Sequence, residues 1–309
     1  VKDDISPILK ELKVFDINNH KLSSSYKIKK LKNNYFVNDT IYTNEKIGLG
    51  IYTYDQSNDA YNKNGVNSIK VYLDSILIYH FKLDKLDFSK NKYINAHIDY
   101  EEKVLSRKKF HKCFKLPNNS LKNYKTIVNN GHIKLNDKIS RQIKIEVYDS
   151  YENKSELSFI LKKEVVELED SLNVSEKGSK TFYWYNENKF SNNNFKISIN
   201  KNYLYESIDF NYKEKDSIDG VFGKVYQCHY ETVPLHKPAK ISIRTNIAEE
   251  LKNKVYIAKV KDNKFRFFGN NWENNFLTAK ISEFGDFSIA ADTVVPKITG
   301  VNIFPGKVM

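Results

Sequence analysis

Three features of the sequence predict an all-β chain of tandem immunoglobulin-like antiparallel β-sandwiches. Apolar and polar residues alternate with period two along most of the chain. The alternating runs come in pairs separated by short polar turns. Strands do not alternate with long helices, the pattern that would signal a parallel sheet. A length of 309 residues suits two domains.

The chain opens with KDDISPILKELKVFDI, where Asp3 and Pro7 precede an apolar run through Leu9, Leu12, Val14 and Phe15. KIGLGIYTYDQSNDAYNKNGVNSI then joins a strand to a hairpin through a loop rich in Asn, Asp and Gly, residues that tolerate turn geometry. In NSIKVYLDSILIYHFKLDKLDF, Ile69, Val71 and Leu73 face one way and Lys70 and Tyr72 the other. A turn at Asp74-Ser75 leads into the apolar run Ile76 to Phe81. IDYEEKVLSRKKFHKCF has helical character, with Ile98, Val104 and Leu105 able to share a face, and is predicted to hold at most a short helix. RQIKIEVYDSYENKSELSFIL is a second hairpin: Ile143, Ile145 and Val147 on one face, the turn DSYENKS, then Leu157, Phe159 and Leu161.

The charged stretch KKEVVELEDSLNVSEKGSK breaks this rhythm and places a boundary between a first sandwich at 1–165 and a second at 166–291. The second region reads as successive strands in FYWYNENKF, FKISINKNYLY, KVYQCHYETVPL, AKISIRTN, KVYIAKVKDNKFRFFGNNWENNFLTAKI and GDFSIAAD. The opening motif then returns 289 residues later, with Asp292 and Pro296 at the places of Asp3 and Pro7. Ile298, Val301, Ile303 and Phe304 stand at the places of Leu9, Leu12, Val14 and Phe15. Residues 292–309 therefore read as the first strand of a further, incomplete domain.

Composition narrows the function classes. Apolar residues at 40% are enough for real cores, and no apolar run approaches the roughly 18 residues of a membrane helix, so no transmembrane segment is expected. The start of the chain shows no secretory signal pattern, as in a mature form or a fragment of a longer protein. The net charge of +12 comes mostly from Lys scattered among Asn, Asp and Glu. Arg107, Arg141, Arg244 and Arg266 lie far apart, so the clustered Arg that reads base edges is missing and no nucleic-acid partner is expected. Cys113 and Cys228 match no zinc spacing, and a disulfide between them would cross the domain boundary. Two buried thiols are expected.

Candidate sites are few. His80 and Asp84, in HFKLD, fit the H-x-x-x-D spacing of some zinc peptidases, but no His has another His two residues away to complete the ligand set. AHIDYEE would align His97, Asp99 and Glu101 on one side if extended, a donor set suited to a metal. The competing reading of all four residues, His80, Asp84, His97 and Asp99, is ordinary surface or strand polarity. Asp55, Asn58, Asp59 and Asn64 offer oxygen ligands for calcium without the order of a helix-loop-helix calcium loop. Tyr183, Trp184, Tyr185 and Trp272, with Phe182, Phe267 and Phe268 nearby in sequence, could present rings to a sugar or a partner, against a core role for those that point inward. The chain carries no G-x-S-x-G, Gly-rich phosphate loop or C-x-x-C, so nothing in it marks an enzyme and no cofactor is expected.

NGVNSIKVYLDSILIYHFKLDKLDFSKNKYINAHIDYEE resembles the region that follows the catalytic domain in bacteroidete-type lysostaphin-like (LytM-type) zinc metallopeptidases, which cut peptidoglycan cross-links. GHIKLNDKISRQIKIEVYDSYENKSELSF is similar to that family's strand, Asp-x-x-x-Asn turn and return strand. SEFGDFSIAADTVVPKITGV resembles its closing Phe-Gly strand and the Asp-Thr-x-x-Pro lead into the next module. The likeness is specific over Asn64 to Glu102 and weak between about residues 165 and 275. It implies residence in the periplasm or at the outer membrane, and an envelope protein or peptidoglycan as partner. Zinc is implied only for a catalytic domain that would precede Val1, and no ligand is carried over to this chain. The expected function is a non-catalytic accessory or docking region of a peptidoglycan endopeptidase. The alternative is a stand-alone envelope module that binds glycan or an outer-membrane assembly.

Overall fold

The computed structural model describes residues 3–19, 22–32, 34–58, 60–136, 139–164 and 180–295. The molecule is all-β, two sandwiches in series. The first contains β1 (Ile8–Asp16), β2 (Ser23–Lys27), β3 (Lys29–Leu31), β4 (Asn34–Phe36), β5 (Thr40–Thr43), β6 (Lys46–Tyr54), β7 (Ser68–Leu73), β8 (Ile76–Lys82), β9 (Phe110–Lys112), β10 (Tyr124–Ile127), β11 (Ile133–Lys134), β12 (Arg141–Tyr148) and β13 (Lys154–Lys163). Helices α1 (Ile94–His97) and α2 (Tyr100–Leu105) lie between β8 and β9.

One sheet runs β11-β6-β1-β2, with β9 also paired to β6; the other runs β10-β8-β7-β12-β13-β4-β3, with β5 also paired to β13. Pairing is antiparallel except where β4 and β5 lie parallel to β13. The period-two pattern explains the core. Ile47, Leu49 and Ile51 of β6 meet Ile69 and Val71 of β7 and Ile143, Ile145 and Val147 of β12, all buried in one cluster. Both hairpins form as the sequence predicts. Asp74 and Ser75 take φ of 48° and 70°, the left-handed pair that a two-residue hairpin turn requires.

The outer face of β6 is unusual. Gly48 and Gly50 stand where side chains would point away from the core, and aromatic rings fill the space instead. A Cβ on Gly48 would lie 2.4 Å from Phe114 Cδ1, and one on Gly50 would lie 2.8 Å from Phe15 Cε2. The two rings meet edge to face at 5.4 Å.

The second sandwich contains β14 (Lys180–Phe182), β15 (Asn188–Ser191), β16 (Phe195–Ile199), β17 (Ile208–Phe210), β18 (Tyr212–Lys215), β19 (Val225–Cys228), β20 (Ala239–Arg244), β21 (Val255–Lys261), β22 (Lys264–Gly269), β23 (Asn271–Glu273), β24 (Phe276–Ile281) and β25 (Gly285–Ala291). Two five-stranded sheets, β15-β16-β20-β24-β23 and β18-β19-β25-β21-β22, pack around Ile197, Ile241, Leu277, Ile257, Phe287 and Ile289. β14 and β17 form a separate pair. FYWYNENKF is not one strand: β14 stops at Phe182, a turn closed by Asn186 N–H donating to Tyr183 O follows, and β15 begins at Asn188.

The structure corrects the helical stretch. α2 is short, as expected, but Ile98 is buried while Leu105 is 70% exposed, so the two share no face. The charged boundary falls on residues 165–179, and most of the further domain on 296–309; both lie outside the described residues. At Asp292 one local bond matches that at the start of the chain: Val294 N–H donates to Asp292 Oδ1 at 3.1 Å, as Ile5 N–H does to Asp3 Oδ1 at 3.2 Å.

Candidate functional site

A ring-lined contact joins the two sandwiches. Ala96 of α1, Phe114 and Leu116 form a buried cluster with Tyr205 of the second sandwich, flanked by Phe15, Ile17 and Tyr93. His236 sits against both sides, its ring 5.5 Å from Tyr93 and 5.1 Å from Tyr205. Asn118 Nδ2 donates to Leu204 O at 2.7 Å across the contact. Phe114 occupies the space beside Gly48 that a Cβ would fill, and belongs to the same buried cluster as Tyr205. Burial holds His236 below the usual imidazole range, so its neutral ring donates from Nδ1 to Asn202 O at 2.7 Å.

The four sequence candidates for metal ligands are not brought together. His80 Nε2 lies 3.0 Å from Ser68 Oγ on the neighbouring strand, and Asp84 pairs with Lys125 at 2.7 Å. His97 and Asp99 do not stand on one extended face. His97 ends α1, and Asp99 caps α2 through its side chain, so the intended alignment with Glu101 is lost to helix formation. Asp99 is buried and pairs with Lys13 at 2.7 Å, while Glu102 accepts from the same ammonium at 3.2 Å. No group of three or more His, Cys, Asp or Glu donors among the described residues includes any of the four.

His97 instead joins a buried polar chain. Asn119 Nδ2 donates to Tyr124 Oη at 3.0 Å, and that hydroxyl is 3.3 Å from His97 Nδ1. On the other side of the ring, His97 Nε2 lies 3.1 Å from His111 Nδ1, so one neutral imidazole donates to the other. Burial, then the charges of His111 and Lys112, hold His97 well below the imidazole range; burial and Lys109 bring His111 down to about 4. Phe81 stacks on His97 at 3.9 Å between ring centres. The chain of bonds reads as a satisfied interior network.

The aromatic candidates divide. Tyr183 and Tyr185 are 43% and 45% exposed and touch at 5.5 Å. Trp184 between them turns onto the core, and Trp272 packs there too with its indole N–H donating to Lys252 O at 3.1 Å. Phe182 is fully buried and stacks on Phe210, Phe268 packs inward, and Phe267 is exposed. The expected four-ring platform is thus a tyrosine pair, because Trp184 and Trp272 pack against the core of the second sandwich.

Two shallow grooves lie on the second sandwich. One, of about 600 Å³, crosses the outer face of β15, β16, β20 and β24 and is lined by Lys189, Lys196, Lys240, Arg244, Glu273 and Phe276. Lys196 Nζ and the Arg244 guanidinium lie over the Phe276 ring at 4.1 and 5.1 Å, and neither pairs with a carboxylate among the described residues. The other, of about 500 Å³, contains paired charges: Lys215 with Asp286 and Lys261 with Glu231.

Residues 179–292 match the family model of a Zu5-like domain. That span coincides with the second sandwich, from β14 to the end of β25. No curated protein and no solved structure matches the chain. The Zu5-like region carries the basic groove, the tyrosine pair and the Tyr205 side of the contact between sandwiches. It does not extend to Asn64–Glu102, on which the peptidase resemblance rests.

The calcium loop is rearranged as well. Asp55 bridges to Asn64 through paired backbone hydrogen bonds of 3.0 and 2.8 Å, and Asn58 turns to Asp4. Asp59 lies outside the described residues. Asp55 is drawn instead toward Asp3 and Asp149, partners the sequence reading missed. A signal was there: counting by twos from Ile47 through Leu49, Ile51 and Thr53 reaches Asp55, and from Ile143 through Ile145 and Val147 reaches Asp149. Both carboxylates occupy core-facing positions. Cys113 and Cys228 are free and buried, one in each sandwich, as expected of two lone thiols.

Proposed function

We propose that this chain is a non-catalytic docking region of the bacterial cell envelope, acting beside a lysostaphin-type peptidoglycan endopeptidase whose zinc site would lie on a separate domain. The observation that carries the reading is the buried contact of Tyr205 and His236 with Ala96, Phe114 and Tyr93, which fixes one sandwich against the other. A fixed pair of sandwiches transmits geometry, which is what a positioning element needs; a flexible tether would not. The residue-level likeness over Asn64 to Glu102 supplies the choice of enzyme class.

The test has two arms. Peptide mapping of the protein made by its native cell should find a linked segment with an H-x-x-x-D and an H-x-H motif. Deleting residues 1–309 from that protein should reduce cleavage of intact sacculi while sparing cleavage of a soluble cross-linked peptide. Equal activity on both substrates after deletion sinks the docking role.

A second reading is favoured by the groove at Lys196, Arg244 and Phe276: a stand-alone module that binds an acidic glycan or envelope partner. Cations stacked on an aromatic ring offer both charge and an apolar face to a sugar acid. Here Lys196→Glu with Arg244→Glu should abolish co-sedimentation with sacculi. Retained binding in that variant rules the groove out.

A further inference from the structure

At one end of the first sandwich three carboxylates converge from separate parts of the chain. Asp3 precedes β1, Asp55 directly follows β6, and Asp149 directly follows β12. One carboxylate oxygen from each lies within 4.8 Å of the other two. The residues are only 6%, 5% and 1% exposed. Three negative groups buried this closely repel one another, and none pairs with a Lys, Arg or His among the described residues.

The arrangement is prepared for something to bind. Asp149 is held by the N–H groups of Tyr151 and Asn153 at 2.9 and 2.8 Å and by Asn153 Nδ2 at 2.7 Å. Asn153 Nδ2 also donates to the Asp3 carbonyl at 3.0 Å, tying the β12–β13 turn to the N-terminal segment. Asn58 reaches Asp4 from the loop after β6. Ile5 N–H satisfies Asp3 Oδ1, yet Asp3 Oδ2 and Asp55 Oδ1 are fully buried with no hydrogen-bond partner among the described residues. Leaving such oxygens unpaired is costly, and a native fold fills them. Burial, then the charges of Asp149 and Asp3, push the Asp55 carboxyl above its usual range.

We propose that Asp3, Asp55 and Asp149 form a binding site for a calcium-class divalent cation, which staples the N-terminal segment to both sheets. The donors are all carboxylate oxygens, the hard ligands that calcium takes, with no nitrogen or sulfur to favour zinc. Calcium bonds oxygen at about 2.3–2.6 Å, so ligands on opposite sides of one ion stand up to about 5 Å apart, and three oxygens within 4.8 Å of one another can share one ion. Magnesium, at about 2.0–2.1 Å in a strict octahedron, fits a tighter cage. The cation joins three chain segments at the end of the core, so its removal loosens the start of β1 first. This site is independent of the docking reading.

The full chain, stripped with chelator and dialysed, is titrated with calcium chloride, magnesium chloride and zinc chloride by isothermal calorimetry and thermal unfolding. One calcium ion per chain is expected, with Tm rising about 5 °C or more at a concentration a hundred times Kd. Asp55→Asn should abolish both responses, and without calcium it should melt no lower than the stripped wild type, since it removes repulsion. Asp3→Asn, on the tethered N-terminal segment, gives a second variant that spares both sheets. No calcium response in the wild type at millimolar concentration overturns the proposal. So does a response that persists unchanged in both variants, or one to magnesium or zinc with none to calcium.

Discussion

Tyr205 is the residue on which the contact between the sandwiches can be tested with opposite signs. Its side chain is 2% exposed, clusters with Ala96, Phe114 and Leu116 of the first sandwich, and holds a hydroxyl with no hydrogen-bond partner among the described residues. Tyr205→Ala removes the ring; aromatic-to-alanine changes at buried sites cost about 3–5 kcal/mol, and the lower end applies because two bodies can close the gap by shifting. Tyr205→Phe keeps the ring and deletes only the unsatisfied hydroxyl, whose burial costs about 1–3 kcal/mol, so it should stabilise by about 1 kcal/mol. Urea unfolding of the full chain reads both. Trp184 and Trp272 are the only tryptophans and both lie in the second sandwich, so their fluorescence reports that sandwich while far-ultraviolet circular dichroism reports both. With a slope of about 2 kcal/mol per molar urea, Tyr205→Ala should lower the fluorescence midpoint by about 1–2 M. Its two probes should also cease to coincide, because the sandwiches then unfold separately. A Tyr205→Phe variant that loses more than about 1 kcal/mol would show that the hydroxyl is bonded. An unshifted Tyr205→Ala would show that the contact does not form.

Three further outcomes follow from the first sandwich. The folded pKa of His111, about 4, lies below the unfolded value, so its contribution to stability is full above about pH 6.5 and is lost as pH falls toward 4. Midpoints measured across that window should drop by about 2–3 kcal/mol in the wild type, and less in His111→Gln; equal slopes refute the buried neutral pair. Gly48→Ala places a Cβ against the Phe114 ring and should cost about 1–3 kcal/mol, with Phe114→Leu restoring part of the loss in the double variant; additive costs would show that the two do not touch. Lys13→Met strands the buried Asp99 carboxylate and should cost about 3–5 kcal/mol by thermal unfolding, while Lys13→Met with Asp99→Leu recovers most of it. A double variant no better than the single would show that the ion pair is not the determinant.

The sequence by itself determined the all-β class and the two hairpins of the first sandwich. Period-two alternation, with Asp74-Ser75 and DSYENKS as turns, is a local property, so β7 with β8 and β12 with β13 were legible without a structure, as were the two buried thiols. Only the tertiary structure decided which polar and aromatic residues act together. Trp184 and Trp272 turned inward because the second core needed their area, leaving Tyr183 and Tyr185 outside. His97 found His111 and Tyr124 rather than Asp99, because α2 took Asp99 as its cap. The Gly48 and Gly50 positions became a ring bed for Phe15 and Phe114, and through Phe114 a contact with Tyr205 some 150 residues away. Asp3, Asp55 and Asp149 met for the same reason. Strand period places each of the latter two toward the core, but only the packing of two sheets on one N-terminal segment brings three carboxylates within reach of one another.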